Sequence, residues 1–177
     1  MHKRLPRFTW LAMPIVALVA VAAVVLPQQS SFAQGDSADC GPRRLTAGWP
    51  DTDWCTASVD LNEIFSGGPG KDGIPAVTDP EMESISSAAS WLTDRSPVIA
   101  VEIDGEARAY PQAILMWHEI ANDTIGGVPV SVTYCPLCNS SIVFDRRLDI
   151  DSDEEAEVLE FGVSGYLRKS DMVMYDR

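Results

Sequence analysis

The segment Val128–Cys135 alternates apolar and polar residues and runs directly into the motif Cys135-Pro136-Leu137-Cys138. Strict alternation indicates a β-strand with one buried face. The three valines and Tyr134 share that face, so Cys135 lies on the opposite one. Pro136 has no amide hydrogen to donate to a neighbouring strand. The strand is therefore predicted to end at this proline, and the two cysteines are predicted to lie on a loop at a sheet end.

The spacing of the cysteines favours disulfide formation or metal binding at this loop. Two sulfurs three residues apart close a disulfide or converge on one soft metal ion with little further loss of chain entropy. Thiol-disulfide exchange by Cys135 and Cys138 is the first interpretation, because a proline between the cysteines is similar to the active sites of glutaredoxin-like proteins. Those proteins place the pair at a helix N-terminus, which lowers the thiol pKa. Here the following residues, Ser141–Asp145, have the pattern of a strand instead.

Soft-metal binding is the second interpretation, with copper or zinc as the ion. His118 is the one histidine that remains without residues 1–33, and it can join Cys135 and Cys138 as a third ligand. The alternative for His118 is a structural residue hydrogen-bonded to a backbone carbonyl. The third interpretation of the cysteine pair is a structural disulfide that stabilises a loop of a non-catalytic binding or structural module. The sequence leaves these roles open and, with them, whether the chain is an enzyme.

The N-terminus has the order of an export signal. Met1–Trp10 carries three positive charges, and Leu11–Leu26 is an apolar run, which together are typical of a signal peptide. Ser31-Phe32-Ala33 offers small residues for cleavage, so residues 1–33 are predicted to be removed during export to the periplasm or the cell exterior. An uncleaved membrane anchor is the alternative. A spanning helix needs about 20 apolar residues, and this run has 16.

The strongly negative charge limits the partners of the chain. The net charge is −13, and it becomes −16 when Lys3, Arg4 and Arg7 leave with the signal peptide. Such a surface repels nucleic acid and anionic lipid. We therefore expect no nucleic-acid partner and membrane contact only through the N-terminal segment. The cysteine chemistry predicts a thiol-disulfide oxidoreductase or a metal-delivery protein as partner.

An irregular segment separates the signal peptide from the folded domain. Residues 34–63 are rich in Gly, Pro and Trp and contain Cys40 and Cys55. Cysteines of exported proteins are usually oxidised. A Cys40–Cys55 disulfide is therefore predicted, and closing a loop of this size stabilises a fold by about 3 kcal/mol in the chain-entropy model.

Hairpins and two helices are predicted beyond this segment. Asp104-Gly105 is a two-residue turn between the strands Val98–Ile103 and Glu106–Tyr110. One helix is predicted to begin at Thr78-Asp79-Pro80-Glu81, to end near Leu92 and to bury an apolar face, and a mostly buried helix is predicted for Gln112–Asn122. Asp149–Glu160 contains seven acidic residues and is predicted to be a solvated, mobile loop rather than a calcium site. Further strands are predicted at Val158–Val163 and Met172–Tyr175.

Five segments together resemble the exported prokaryotic proteins of the domain of unknown function 3179 family. They are Gly67–Pro75, Asp104–Pro111, Trp117–Ile120, Tyr134–Ser140 and Phe161–Gly165. The resemblance covers residues 64–177 and implies no catalytic residue, because no reaction is established for the family. Members usually continue further, which implies that residues 64–177 are the front part of an incomplete domain. The predicted fold is α+β, a twisted, mostly antiparallel sheet of hairpins with two helices.

Overall fold

Nine strands and three short helices make up the part of the chain that the computed structural model describes, residues 40–148 and 157–177. The helices are α1 (Arg43–Thr46), α2 (Ile85–Ala88) and α3 (Gln112–His118). The strands are β1 (Ile64–Ser66), β2 (Val77–Thr78), β3 (Val98–Ile103), β4 (Glu106–Pro111), β5 (Ile120–Ile125), β6 (Val128–Cys135), β7 (Ser140–Asp145), β8 (Phe161–Arg168) and β9 (Asp171–Asp176).

The strands form three separate sheets rather than the single predicted one. The largest has the order β2-β5-β6-β7, in which β2 is parallel to β5 and the other pairs are antiparallel. A second sheet has the order β1-β8-β9, and β3 and β4 form a hairpin of their own. The α+β prediction therefore fits broadly. The antiparallel hairpins are present, but helix is scarce, and strand is the main regular structure of the described residues.

The central strand β6 is buried on both faces. Val130, Val132 and Tyr134 pack in a core with Tyr110 and Leu115, as the alternation predicts. The opposite face is polar but equally enclosed, since its residues Ser131, Thr133 and Cys135 are at most 4% exposed. Met172 and Met174 of β9 lie across a narrow cleft from Thr133 and Cys135, so the β1-β8-β9 sheet covers this second face.

A buried carboxylate connects the β3-β4 hairpin to the large sheet. Asp123 of β5 is 3% exposed and accepts hydrogen bonds from Tyr110 Oη at 2.6 Å and Arg108 Nη1 at 2.5 Å. Burial and the neighbouring carboxylate raise the pKa of Tyr110 above its usual range. Arg146 donates to three backbone carbonyls, of Val130, Leu159 and Asp123. These ion and hydrogen-bond pairs satisfy polar groups that burial would otherwise leave unpaired.

The first predicted helix is wrong in its start and its packing. Asp79 has φ +50° and donates its backbone N–H to Asn122, which extends the β2-β5 pairing instead of capping a helix. The helix begins only after Ser84, whose hydroxyl accepts from Ser87 N, and it ends at Ala88. Ile85 is 90% exposed, so the apolar spacing does not correspond to a buried face.

The second predicted helix is correct in its start but wrong in its length and burial. It ends at His118, because Glu119 has φ +58° and the next residues pair with β6 as strand β5. Leu115 is its one buried residue, whereas Trp117 is 75% exposed. Sheet pairing of β5 therefore overrides the predicted helix at Ile120–Asn122.

Two predicted segments lie largely or wholly outside the described residues. Residues 1–33, the predicted signal peptide, are not among them, and neither are residues 149–156 of the predicted acidic loop. Within the described ranges, no helix has the length and apolar character needed to cross a membrane.

The glycine-rich segment after β1 is a loop, as predicted, and it is fastened to β8. Gly67 N donates to the carbonyl of Gly165, and Asp72 N donates to the carbonyl of Val163. Gly165 has φ +78° at a β-bulge, and a Cβ atom there would overlap the carbonyl oxygen of Pro69. The close approach of these two backbones therefore requires glycine at position 165.

We expect Gly165→Ala to destabilise the protein more than Gly127→Ala. Both glycines have φ +78°, but nothing lies within 4 Å of the Cβ position at Gly127. The left-handed backbone alone costs alanine about 1–2 kcal/mol, and the collision with the loop should add about 1–3 kcal/mol at Gly165. Urea unfolding followed by tryptophan fluorescence measures the difference. Equal losses would show that the loop does not pack against β8 as described.

Candidate functional site

The Cys-Pro-Leu-Cys motif forms a tight turn between β6 and β7. Cys135 is the last residue of β6 and is paired with Ser140 of β7, and Cys138 N donates to the carbonyl of Cys135 at 3.2 Å. The two sulfurs are joined in a disulfide. The motif therefore lies on a loop at a sheet end between two strands, as predicted.

The two cysteines of this disulfide differ in their access to solvent. Cys135 is 4% exposed, whereas Cys138 is half-buried and its neighbour Leu137 is 69% exposed. The left-handed backbone of Asn139, with φ +49°, turns the chain into β7. A reagent that approaches from solvent therefore meets the Cys138 sulfur first.

A second disulfide joins Cys40 to Cys55 in the segment before β1. Both cysteines are exposed, and they lie beside a small core of Leu45, Leu61 and Ile64. No other cysteine is present in the chain. Two disulfides are typical of proteins in an oxidising compartment.

A small cavity of about 20 Å³ adjoins the buried sulfur of the motif. It is lined by Cys135 and Leu137, by the glycine-rich loop, by the residue after α3 and by the β8-β9 hairpin. The contributing residues are Gly67, Pro69, Ile74, Glu119, Cys135, Leu137, Val163, Gly165, Tyr166, Leu167 and Met172. Four of the five segments that carry the family resemblance contribute residues to this cavity, and the fifth supplies Arg108 and Tyr110 to the Asp123 network.

Glu119 is a site residue that the sequence analysis did not identify. It lines the same cavity as Cys135, and its φ of +58° is an uncommon conformation for a residue other than glycine. Its carbonyl accepts from Tyr134 N at 2.8 Å, which fixes the end of α3 against β6. Burial raises the pKa of the Glu119 carboxyl. An uncommon backbone conformation at a residue that lines a cavity is a feature of many functional sites.

Asp171 is the second site residue that the sequence analysis missed. One carboxylate oxygen of Asp171 and the sulfurs of Cys135 and Cys138 all lie within 4.8 Å of one another. Ser140 Oγ donates to this carboxylate at 3.4 Å. Asp171 is distant in sequence, and it reaches the motif because the β8-β9 hairpin packs over β6.

His118 is not part of this group of donor atoms. Its Nδ1 lies 2.9 Å from the carbonyl oxygen of Pro75, which is the backbone contact expected of a structural histidine. Among the described residues, the group of three potential ligands that includes the cysteines contains Asp171 instead. His118 as a metal ligand stays a prediction from the sequence.

The comparison with protein families confirms the resemblance. Residues 71–177 match the family described as Protein of unknown function (DUF3179). The match covers more than half of the chain, so the chain belongs to this family. No curated protein and no solved structure matches it.

We expect Glu119→Gln to stabilise the protein in a pH-dependent way. Because the pKa of Glu119 is raised in the folded state, the folded protein binds the Glu119 proton more tightly than the unfolded chain does. The stabilisation of the folded state by this proton is fully present below the unfolded pKa and is lost as the pH rises through the folded pKa. The glutamine variant should therefore have the larger free energy of unfolding near pH 7, and the gap should close by about pH 4. Urea unfolding across this range measures the gap. Glu102→Gln on β3 controls for removal of an exposed charge, and an equal gap there would contradict the expectation.

Proposed function

We propose that this member of the DUF3179 family is an exported thiol-disulfide exchange protein that uses Cys135 and Cys138. The observation that carries the proposal is the asymmetric disulfide, with one buried sulfur beside a carboxyl-lined cavity and one sulfur within reach of solvent. Such an asymmetry supplies an attacking thiol and a protected resolving thiol. The export-signal pattern of residues 1–33 and the Cys40–Cys55 disulfide support a location outside the cytoplasm.

The accessible cysteine is the attacking group in this proposal. The Cys138 thiolate attacks one sulfur of a partner disulfide, the partner S–S bond breaks, and the released partner sulfur takes a proton. The Cys135 thiolate then attacks Cys138 Sγ in the mixed disulfide. This step forms the Cys135–Cys138 bond and releases the second partner thiolate. The partner disulfide gains two electrons and two protons, which the Cys135–Cys138 dithiol loses, and the dithiol of another protein returns them by the same exchange.

The surroundings of the pair favour the reducing direction. Glu119 lines a cavity together with Cys135, and a carboxylate oxygen of Asp171 lies within 4.8 Å of both sulfurs. A carboxylate destabilises a nearby thiolate. The motif also lies between two strands, without the helix N-terminus that stabilises the thiolate of strongly oxidising proteins. A pair whose reduced form is not stabilised gives up electrons more readily. The disulfide is therefore proposed as the resting product of partner reduction.

Matched single-cysteine variants test which sulfur exchanges. Cys135→Ser leaves Cys138 free, and Cys138→Ser leaves Cys135 free. We expect Cys138 to react with S-(2-thiopyridyl)-cysteine about tenfold faster or more than Cys135, because Cys135 is 4% exposed. Release of thiopyridone gives the rates, and peptide mass spectrometry verifies that Cys40–Cys55 stays intact.

The wild-type protein supplies the decisive comparison. Its Cys135–Cys138 disulfide should be reduced by dithiothreitol without loss of far-ultraviolet circular dichroism, and the resulting dithiol should reduce a disulfide-linked peptide. If the disulfide is reduced only when the protein unfolds, Cys135–Cys138 is a structural disulfide and the exchange function is overturned.

Zinc or copper binding by the reduced pair is a second candidate, supported by the position of Asp171. Two thiolates and one carboxylate oxygen within 4.8 Å of one another provide three ligands of types that zinc accepts. We expect about one equivalent of zinc per reduced chain, and an affinity at least about tenfold lower in Asp171→Asn. Asp176→Asn on the same strand is the control, and His118→Ala tests the ligand predicted from sequence. Elemental analysis after dialysis gives the stoichiometry, and unchanged binding in Cys135→Ser/Cys138→Ser would reject the site.

A further inference from the structure

The outer edge of β7 is free for pairing within the described part of the chain. β7 is the last strand of the order β2-β5-β6-β7 and pairs with β6 alone. The backbone N–H and C=O groups on its other side therefore have no strand partner among the described residues. An edge of this kind is a template for an added strand.

This edge lacks the features by which sheet edges usually avoid pairing. Ile142, Val143 and Phe144 are 44%, 36% and 38% exposed, and Ser140–Asp145 contains no proline, lysine or bulge. Its one charged residue, Asp145, is paired with Arg147. Native proteins usually protect edges with charges, prolines, bulges or a covering helix or loop. Within residues 40–148 and 157–177 none of these protects β7, so this edge can accept a further strand.

The free edge leads directly to the exchanging disulfide. Ser140 begins β7 two residues after Cys138 and is the pairing partner of Cys135. Ile142 and Phe144 line the cleft that also contains Cys135 and Met172. A strand laid along β7 would therefore bring its own residues past the Cys138 sulfur.

The cavities described beside Cys135 are too small to enclose a typical small-molecule ligand. They have volumes of about 20 and 30 Å³, whereas pockets for such ligands measure about 300–1,000 Å³. A partner must therefore meet Cys138 from outside, along the surface.

Charge indicates the composition of that partner. Asp171 lies beside both sulfurs and forms no ion pair with any described residue. The whole chain has a net charge of −13. Basic residues near the partner cysteine would complement both the local carboxylate and the overall field.

We propose that the partner disulfide belongs to an extended polypeptide segment, with apolar and basic residues around its cysteine, that pairs as an added strand with the outer edge of β7. This inference rests on the proposed exchange function and names its substrate class. Backbone hydrogen bonds supply affinity, Val143 contacts the apolar side chains on one face of the added strand, and Asp171 contacts a lysine or arginine on the face that carries the cysteine.

A strand-forming peptide tests the proposal on the Cys135→Ser protein. The probe is Thr-Val-Lys-Val-Cys-Val-Lys-Val-Thr, with its cysteine as the 2-thiopyridyl disulfide, and S-(2-thiopyridyl)-cysteine reports Cys138 reactivity without a strand. We expect the peptide to react about tenfold faster or more than the small reagent. Replacing the two lysines of the peptide with glutamates should remove most of this rate advantage. In the Asp171→Asn protein, the reaction rates of the lysine and glutamate peptides should differ less.

Backbone methylation of the peptide separates strand pairing from side-chain contact. N-methyl groups on one set of alternate residues block the hydrogen bonds toward β7, whereas methyl groups on the other set point to solvent. The peptide with methyl groups toward β7 should lose its rate advantage over the small reagent, and the peptide with methyl groups toward solvent should keep it. Because the protein is unchanged, this comparison does not depend on the folding of a further variant. Equal rates for the two methylated peptides would overturn strand addition.

A matched pair of lysine substitutions locates the edge. Ile142→Lys should lower the peptide-to-reagent rate ratio about tenfold, since lysine protects edge strands. Val98→Lys is the control, because Val98 is also an apolar strand residue of nearly equal exposure, 43% against 44%, and its ratio should stay unchanged. Sedimentation that shows a dimer abolished by Ile142→Lys would assign the edge to a second copy and overturn the proposal.

The outcomes distinguish this inference from the function on which it rests. If Cys138 reacts with the small reagent but the peptide has no advantage, strand docking fails and the exchange function stands. If Cys138 does not react with the small reagent either, the exchange function itself fails.

Discussion

Enclosure of β6 on both faces is the constraint on which the rest of the structure depends. The valine face packs against the β3-β4 hairpin and α3, and the polar face lies under the β1-β8-β9 sheet. Buried polar groups are usually hydrogen-bonded. The Thr133 hydroxyl donates to the carbonyl of Ile142, and the Ser141 hydroxyl donates to the carbonyl of Thr133, whereas the Ser131 hydroxyl has no hydrogen-bond partner among the described residues. The second sheet thereby covers Cys135 and leaves Cys138 at the margin.

The candidate site is assembled by contacts that are distant in sequence. The glycine-rich loop reaches the cavity because its backbone is bonded to β8 at Gly67 and Asp72. Glu119 reaches it because α3 stops early and β5 begins at the next residue. Asp171, the first residue of β9, lies beside the two sulfurs of the motif. Each of these positions depends on the packing of one sheet over the other.

The electrostatics of the site connect its geometry to the proposed chemistry. Carboxyl groups beside a cysteine pair disfavour thiolates and so favour the disulfide, which is the state in the structure. The same groups would attract a basic segment of a partner. Under the proposed function, the acidic character of the chain would therefore act on both the redox balance and the choice of partner. The Asp123 network with Arg108 and Tyr110 connects the β3-β4 hairpin to the large sheet instead.

The sequence by itself determined the features that follow from local rules. The period of two in Val128–Cys135, the Asp104-Gly105 turn and the proline after Cys135 each specify backbone geometry over a few residues, and the corresponding elements are present. The tertiary structure decided where local patterns compete with long-range pairing, as at Ile120–Asn122, the predicted end of the second helix, which pairs with β6 instead. It also placed Asp171 beside the sulfurs, a position that the sequence pattern did not indicate. Neither result could be predicted from periodicity, because the free energy that selects them comes from burying one sheet against another.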